Sequence, residues 1–317
     1  MLTLFPLFPE QASTAAAKVD ALYFFLLGVS AFFSILIFTL LIAFAVRYRR
    51  RPGRRRPERG PAALWLELLW SGVPAGLAFV MFVWGAEIYF AGANAPQRST
   101  EIDVVARQWM WKFQHPEGNM EINELHVPAG RPFRLVMASE DVIHSFFVPA
   151  FRVKADVVPG RISSTWFEAT RPGSYHLFCA QYCGTQHSGM IGAVIVMTPA
   201  RFEQWLAATR PSEPASASGE KLFSRLGCGS CHAPGGSGTG PDLEGLFGST
   251  VRLRNGQTAR ADETYLRRAI LEPSSQVVEG YDPVMPTYQG LVGEQGVLQL
   301  ITYIKAGAGG SSMRAAR

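Results

Sequence analysis

The twelve residues from Cys179 to Met190 read CAQYCGTQHSGM and place two thiols, one imidazole and one thioether in a single short segment. The flanking runs SYHLFC (174–179) and GAVIVM (192–197) are rich in β-favouring residues. Similar runs separated by turn residues recur from 91 to 206, a rhythm typical of an all-β sandwich or barrel. The segment is therefore predicted to be a loop of a β domain.

The side chains of this loop indicate a copper site. Thiols and a thioether beside imidazole favour copper, whereas zinc would favour a Cys/His set without thioether. A further imidazole, His144, lies upstream on a predicted strand edge. A mononuclear blue-copper site needs one cysteine, but Cys179 and Cys183 with His144, His187 and Met190 are enough to bridge and terminate two coppers. The alternative is a Cys179–Cys183 disulfide. Three further histidines, His115, His126 and His176, are predicted not to be metal ligands.

A second cysteine pair lies in CGSCH (228–232), the attachment sequence of c-type haem. Cys228 and Cys231 can reach two vinyl groups, and the adjacent His232 can ligate iron. Met285, in YDPVMPTY, follows far enough downstream to provide the sixth ligand, and His/Met ligation suits electron transfer. A disulfide or half of a zinc site is the alternative, although no second CxxC or HxxH motif lies nearby.

The composition predicts membrane segments, because 48% of the residues are hydrophobic, 17% are charged and the mean hydropathy is +0.09. The apolar stretches 19–46 and 62–90 each exceed the roughly 20 residues that cross a bilayer. Between Arg47 and Arg59 lie eight arginines and one glutamate, a local charge of +7, which leaves −2 for the rest of the +5 chain. The positive-inside rule then predicts a cytoplasmic loop and outward-facing termini. A nucleic-acid surface is excluded.

The predicted architecture is a multi-domain membrane protein. An N-terminal periplasmic segment is expected at 1–18, and a transmembrane hairpin at 19–90 with its Arg-rich loop at 47–61. The β domain covers 91–206, a Pro/Ser/Ala-rich linker 207–219, a small all-α unit 220–306 and a flexible tail 307–317.

The helical unit resembles a class I cytochrome c domain. The matching features are Gly219, Phe223, CGSCH, GPDL (240–243), GYxxxMP ending at Pro286, and Tyr303. This resemblance implies that the Pro241 carbonyl accepts a hydrogen bond from His232, and that Phe223 packs near Tyr303.

The whole chain resembles subunit II of a haem-copper cytochrome c oxidase, of the variety with a fused cytochrome c domain. The resemblance rests on the hairpin, DVIHSF (141–146), the Cys179–Met190 loop, QWMW (108–111) and PGR (159–161). It implies a cupredoxin-like barrel holding the dinuclear CuA centre. The implied ligands are His144, Cys179, the Gln181 backbone carbonyl, Cys183, His187 and Met190.

Two positions depart from the family pattern. Most members have Glu in place of Gln181, and that side chain helps to bind magnesium, so a magnesium site through residue 181 is not expected. The usual Trp-Tyr-Trp is Trp109-Met110-Trp111 here. The resemblance therefore assigns electron entry to Trp109, for which plain packing is the alternative.

Glu67 lies in an apolar stretch, where an ionisable group is a functional hypothesis by default. With Trp70 and Pro74 it matches the family pattern E-x-x-W-x-x-x-P, in which this Glu guards the entrance of a proton channel in subunit I. The alternative is an interfacial Glu paired with an arginine.

The expected function is electron entry into a proton-pumping terminal oxidase, although the chain itself has no oxygen-reducing centre. Electrons from a reduced donor such as cytochrome c would pass through haem c and CuA to subunit I, which reduces O2 to water. Subunit III is a further expected partner. The expected location is the bacterial inner membrane, with the redox domains on the periplasmic side.

Three other functions share some of these sequence features. A nitric-oxide-reducing complex can use a similar copper subunit, but Glu67 favours a pump. A copper-carrying or copper-sensing protein would have an exposed, labile site and no use for covalent haem. A quinol oxidase subunit is disfavoured because such subunits lack the copper ligands.

Overall fold

The computed structural model describes residues 8–49, 64–209, 215–236 and 238–307. These residues form two compact units. One is a pair of long helices within 15–94, and the other combines the short N-terminal segment that ends at Thr14 with the chain from Ala95 onward.

The first unit is the predicted hairpin. Helix α1 spans Ala16–Arg47 and helix α2 spans Leu64–Ala93. Their 32 and 30 residues correspond to about 48 and 45 Å, more than the roughly 30 Å of a bilayer core. Both are apolar enough to cross a membrane, and α2 continues through Pro74. Of the predicted Arg-rich loop, residues 50–61 lie outside the described residues.

The second unit contains a β domain of two five-stranded sheets. The first sheet has the order β3-β2-β1-β5-β8 and the second β4-β10-β9-β6-β7. The strands are β1 (Thr100–Arg107), β2 (Met110–Gln114), β3 (Met120–Ile122), β4 (Glu124–Pro128), β5 (Pro132–Ser139), β6 (His144–Val148), β7 (Val153–Val157), β8 (Ser163–Glu168), β9 (Gly173–Cys179) and β10 (Ile191–Met197).

Side chains from both sheets fill one core between them. Val104 and Leu135 from the first sheet and Phe146 and Leu177 from the second are all fully buried in the same apolar cluster. Because side chains alternate along a strand, every second residue faces this core. The predicted cupredoxin-like β fold is confirmed.

Residues 8–14, predicted only as part of an outer segment, belong to the β domain. Ala12 is fully buried in its core, and its N–H donates to the Ala150 carbonyl at 2.9 Å. Ser13 forms a β-bridge with Ala169. The chain therefore enters and leaves the helical hairpin from the same compact unit.

The C-terminal part is helical, with one addition. Its elements are α4 (Ala215–Arg225), β11 (Thr250–Arg252), β12 (Thr258–Arg260), α5 (Glu263–Leu271) and α6 (Glu294–Lys305), and α3 (Pro199–Ala208) precedes it. The β11–β12 hairpin was not anticipated. The predicted linker 207–219 is too long, because α3 continues to Ala208 and α4 already begins at Ala215.

Helices α4 and α6 pack unusually closely at Gly219. A Cβ atom there would lie 2.1 Å from the Gln299 carbonyl oxygen and 2.8 Å from Tyr303 Cβ. Backbone cannot move aside as a flexible side chain would, so this crossing requires glycine.

The substitution Gly219→Ala should separate α4 from α6 and cost about 1–3 kcal/mol of stability in the helical domain. The control is Gly293→Ala, where a Cβ atom meets nothing within 4 Å. Pulse proteolysis of the full chain in increasing urea measures the difference. Equal midpoints for Gly219→Ala and the parent chain would show that the crossing tolerates a methyl group.

Candidate functional site

Two buried thiols form the centre of the candidate site. Cys179 ends β9 and Cys183 lies in the following loop, with 3.7 Å between their sulfur atoms. A disulfide requires about 2.05 Å, and both cysteines are free. The disulfide alternative therefore does not describe this site.

An imidazole lies beside each thiol. His144 Nδ1 is 3.9 Å from Cys179 Sγ, and His187 Nδ1 is 3.4 Å from Cys183 Sγ. The ligand atoms of His144, Cys179 and Cys183 all lie within 4.8 Å of one another. The strand pairing explains this, because β6 and β9 are antiparallel neighbours and His144 begins β6 where β9 ends.

Two weaker donors complete the set. The Gln181 carbonyl oxygen lies 3.2 Å from Cys179 Sγ, and Met190 Sδ lies 3.8 Å from Cys183 Sγ. Met190 is fully buried, and its carbonyl accepts a hydrogen bond from Cys179 N–H at 3.1 Å, which closes the loop at its base. The structure thus brings all six predicted ligands together. Four of them (His144, Cys179, Cys183 and Met190) are buried, and this soft donor set fits copper.

The two thiols differ in acidity. Burial opposes ionisation of Cys179, but hydrogen bonds from His144 and from neighbouring backbone groups outweigh it and lower the pKa of that thiol to about 6. Burial and the adjacent Cys179 charge raise the pKa of Cys183 to about 12. A bound cation would compensate a second thiolate, because metal binding releases protons from its ligands.

Asp141 orients a predicted ligand, a role that the sequence reasoning missed. Its Oδ1 lies 2.8 Å from His144 Nε2, and its Oδ2 accepts a hydrogen bond from the Gln108 N–H, also at 2.8 Å. A carboxylate on the outer imidazole nitrogen leaves Nδ1 as the ligating atom. The signal was available, since Asp141 lies only three residues before His144.

Trp109 contacts the loop directly. Its Nε1–H donates to the Cys183 carbonyl at 3.2 Å, and Gln108 Nε2 donates to the same oxygen at 2.8 Å. Gly184, at φ +115°, permits this approach, because a Cβ atom there would lie 2.9 Å from Gln108 Nε2. The segment before β2 is therefore fastened to the thiol loop.

Two histidines predicted not to be ligands serve a different cluster. His115 Nε2 lies 2.8 Å from Glu121 Oε1, and His126 Nδ1 contacts the other oxygen of the same carboxylate. His126 also stacks on Trp205 of α3, with ring centroids 4.6 Å apart. This cluster attaches α3 to the β domain. His176, on β9, contacts Phe178, with ring centroids 4.1 Å apart.

The second set of predicted residues lines a cavity of about 330 Å³ in the helical domain. Cys228, Cys231, His232 and Met285 all contribute to its wall. Most of the remaining lining is apolar, including Leu266 and other core residues, which is typical of a cofactor pocket.

The ring of His232 is held ready for ligation. Its Nδ1 lies 2.7 Å from the Pro241 carbonyl, which leaves Nε2 as the nitrogen with a free lone pair. A Cβ atom at Gly240 would lie 2.9 Å from His232 Cε1, so the neighbouring residue must be small. Phe223 packs on Tyr303, with ring centroids 5.2 Å apart. Both expectations from the cytochrome resemblance are confirmed, and these residues fit a covalently attached haem.

Glu67 lies in the first turn of α2. Its proposed role in a proton channel concerns another subunit and stays a prediction.

Comparison with known proteins gives the family. Residues 116–198 match the model for the periplasmic domain of cytochrome c oxidase subunit II, and residues 216–308 match the model for cytochrome c. Cytochrome c oxidase subunit 2 of Thermostichus vulcanus is 31% identical over 255 residues, which cover 63% of this chain and 77% of the relative. The chain belongs to the cytochrome c oxidase subunit 2 family.

Another member, from Alkalihalophilus pseudofirmus, is 29% identical over 293 residues, which cover 88% of this subunit 2 chain and 84% of the relative. A crystal structure of the periplasmic domain of subunit II (CoxB) of Bradyrhizobium japonicum is 29% identical, with a TM-score of 0.35. It covers 37% of this chain and 96% of its own. The match to the cytochrome c model covers the segment of this subunit 2 chain that contains the CGSCH motif.

Asp141→Asn should weaken copper binding by roughly 10- to 100-fold, because His144 loses its charged partner and the single amide oxygen cannot accept from both His144 Nε2 and the Gln108 N–H. Competition with a copper chelator measures this. The control is Asp282→Asn, whose side chain is 81% exposed and belongs to the helical domain. Unchanged competition by Asp141→Asn would mean that the carboxylate does not position the imidazole.

Proposed function

We propose that this chain is the electron-entry subunit of a proton-pumping haem-copper oxidase in the bacterial inner membrane. Electrons would pass from a reduced donor such as cytochrome c through haem c and dinuclear CuA to subunit I, which reduces O2 to water. Subunit III is a further proposed partner. The observation that carries the proposal is the pair of buried thiols 3.7 Å apart, flanked by two imidazoles.

The proposed copper ligands are His144, Cys179, the Gln181 carbonyl, Cys183, His187 and Met190. When bound, the two coppers would supply a one-electron store shared through both sulfurs. The protein's own contribution is rigidity. His144 and Met190 are fully buried, and the loop is tied to β2 through the Cys183 carbonyl, so the donors change position little when the charge changes.

Burial of the two thiols also favours electron transfer over copper carriage. A carrier must exchange its metal and therefore needs accessible thiol ligands. Here Cys183 is 2% exposed and Cys179 is 8% exposed. A buried site retains its metal, as a permanent electron carrier requires.

In the helical domain, the proposed haem-binding residues are Cys228, Cys231, His232 and Met285. When bound, the haem would supply a second one-electron carrier. Cys228 and Cys231 would anchor it, Pro241 fixes the His232 tautomer, and the apolar wall excludes water. A dry pocket with His/Met ligation raises the reduction potential, which suits transfer to copper.

Two further roles rest on the family resemblance. Trp109 is proposed as the electron-entry aromatic for an external donor, supported by its hydrogen bond to the Cys183 carbonyl. Glu67 is proposed to guard a proton-channel entrance in subunit I. The exposed apolar side chains of α1 and α2, such as Phe38 and Phe82, offer a surface for that subunit.

Cys179→Ser should abolish electron transfer from haem to the oxidase, because a hydroxyl cannot replace the thiolate, while haem attachment stays intact. Oxygen consumption by the purified complex measures the loss, and denaturing gels stained for covalent haem provide the control. Normal oxygen consumption by Cys179→Ser would contradict the proposed role of the thiol pair.

Glu67→Gln should slow oxidase turnover and proton uptake while leaving the metal spectra unchanged. The matched control is Glu87→Gln, near the other end of α2. Proton uptake by reconstituted vesicles distinguishes them. Equal uptake by both variants and the parent would return Glu67 to an interfacial role.

A further inference from the structure

Two faces of helix α6 contact different parts of the protein. Leu300 and Ile304 line the haem cavity on one side. On the other, Leu298 is 1% exposed and packs against Val105 and Val136 in an apolar cluster of its own. Neighbours of these valines along β1 and β5 point into the barrel core, so the cluster lies on the outer face of the sheet. The helical domain thus rests on the β domain through α6.

Four charged side chains form a ring of ion pairs next to this contact. Arg134 Nη1 of the β domain lies 2.7 Å from Glu101 Oε1 of the same domain and 2.9 Å from Glu263 Oε1 of α5. Lys305 Nζ of α6 lies 3.1 Å from the same Glu263 oxygen and also contacts Glu101. Each domain contributes one cation and one anion, so the ring is neutral and closed.

Asp103 is a fifth ionisable side chain beside this neutral ring. It lies two residues after Glu101 on β1, hence on the same face, and its Oδ2 accepts a hydrogen bond from Thr302 Oγ1 of α6 at 3.3 Å. Burial raises the pKa of Asp103 to about 7, with help from Glu101 and Glu263 and in spite of Thr302 and Lys305. The pairing strand β2 offers neutral Gln114 opposite Asp103, while its Lys112 pairs with Glu140 at 3.6 Å.

We propose that the outer face of β1 and β5 is a dedicated docking site for the chain's own cytochrome domain, and that deprotonation of Asp103 weakens the docking. Below neutral pH, Asp103 is uncharged and the interface is balanced. Above it, the ionised carboxylate leaves a net negative charge within a half-buried contact. Because the two domains are tethered, a released domain stays close and can dock again.

Linkage gives the direction and size of the effect. Since the docked form holds the Asp103 proton more tightly, the stabilisation is complete below the ordinary pKa of 3.8 and is lost as the pH rises through about 7. Between pH 5 and pH 8, the docking equilibrium constant should fall by up to roughly a hundredfold. The proposal concerns the docking of the two domains, so it can be tested without measuring electron transfer.

Hydroxyl-radical footprinting of the full chain tests the proposal, read on the Leu298 side chain, which is 1% exposed in the docked form and becomes exposed on release. Oxidation of Leu298 in the parent chain should rise by up to roughly a hundredfold from pH 5 to pH 8. Asp103→Asn, which mimics the neutral acid, should keep Leu298 oxidation constant. Its α6 sequence is unchanged, so the two chains can be compared directly at each pH. The control Asp156→Asn, on β7, should behave as the parent.

A second variant tests the ring itself. Arg134→Gln should raise Leu298 oxidation at every pH, because it removes the contact of the β domain with Glu263. Equal Leu298 oxidation in the parent and Asp103→Asn at pH 8 would overturn the proposal. So would an equal rise in the oxidation of Leu266, which is 3% exposed in the core of the helical domain, because that pattern reports unfolding of the domain instead of its release.

Discussion

Two thiols held 3.7 Å apart, buried and unbonded, are the constraint on which the rest of the structure depends. Burying two ionisable sulfurs is costly unless a cation or hydrogen bonds compensate them. Side chains close to the thiols offset this cost. Strand pairing brings His144 to one thiol, a short turn brings His187 to the other, and Asp141 fixes the first imidazole from behind.

The same logic extends from the loop to the whole extramembrane unit. The Cys183 carbonyl accepts hydrogen bonds from Gln108 and Trp109, so the thiol loop is bonded to the turn between β1 and β2. The outer face of β1 in turn carries the helical domain through α6, whose other face lines the haem cavity. Strand β1 therefore lies between the two candidate redox sites: the turn after it contacts the thiol loop, and its outer face contacts α6.

How far the sequence could predict this structure depended on sequence distance. Five of the six candidate copper ligands lie within the twelve residues 179–190, and the haem motif is five residues long, so short spacings in the sequence were enough to indicate both cofactors. The Glu101–Lys305 contact joins residues 204 positions apart, and no local sequence pattern predicts such a contact. Ala12 was missed for a similar reason, because a short segment before a membrane helix gives no sign of its partner Ala150. The length of the linker was overestimated because the small residues from Ala215 to Gly219 resemble a flexible segment. In the structure they belong to α4, where Gly219 contacts α6.

The most direct test of the account is the copper and haem content of the purified full chain, measured by elemental analysis and by acid-acetone extraction. The account predicts two coppers per chain, and one haem that acid-acetone does not remove. A single copper, or a haem that is extracted, would contradict the assignment of the thiol pair and of the CGSCH motif.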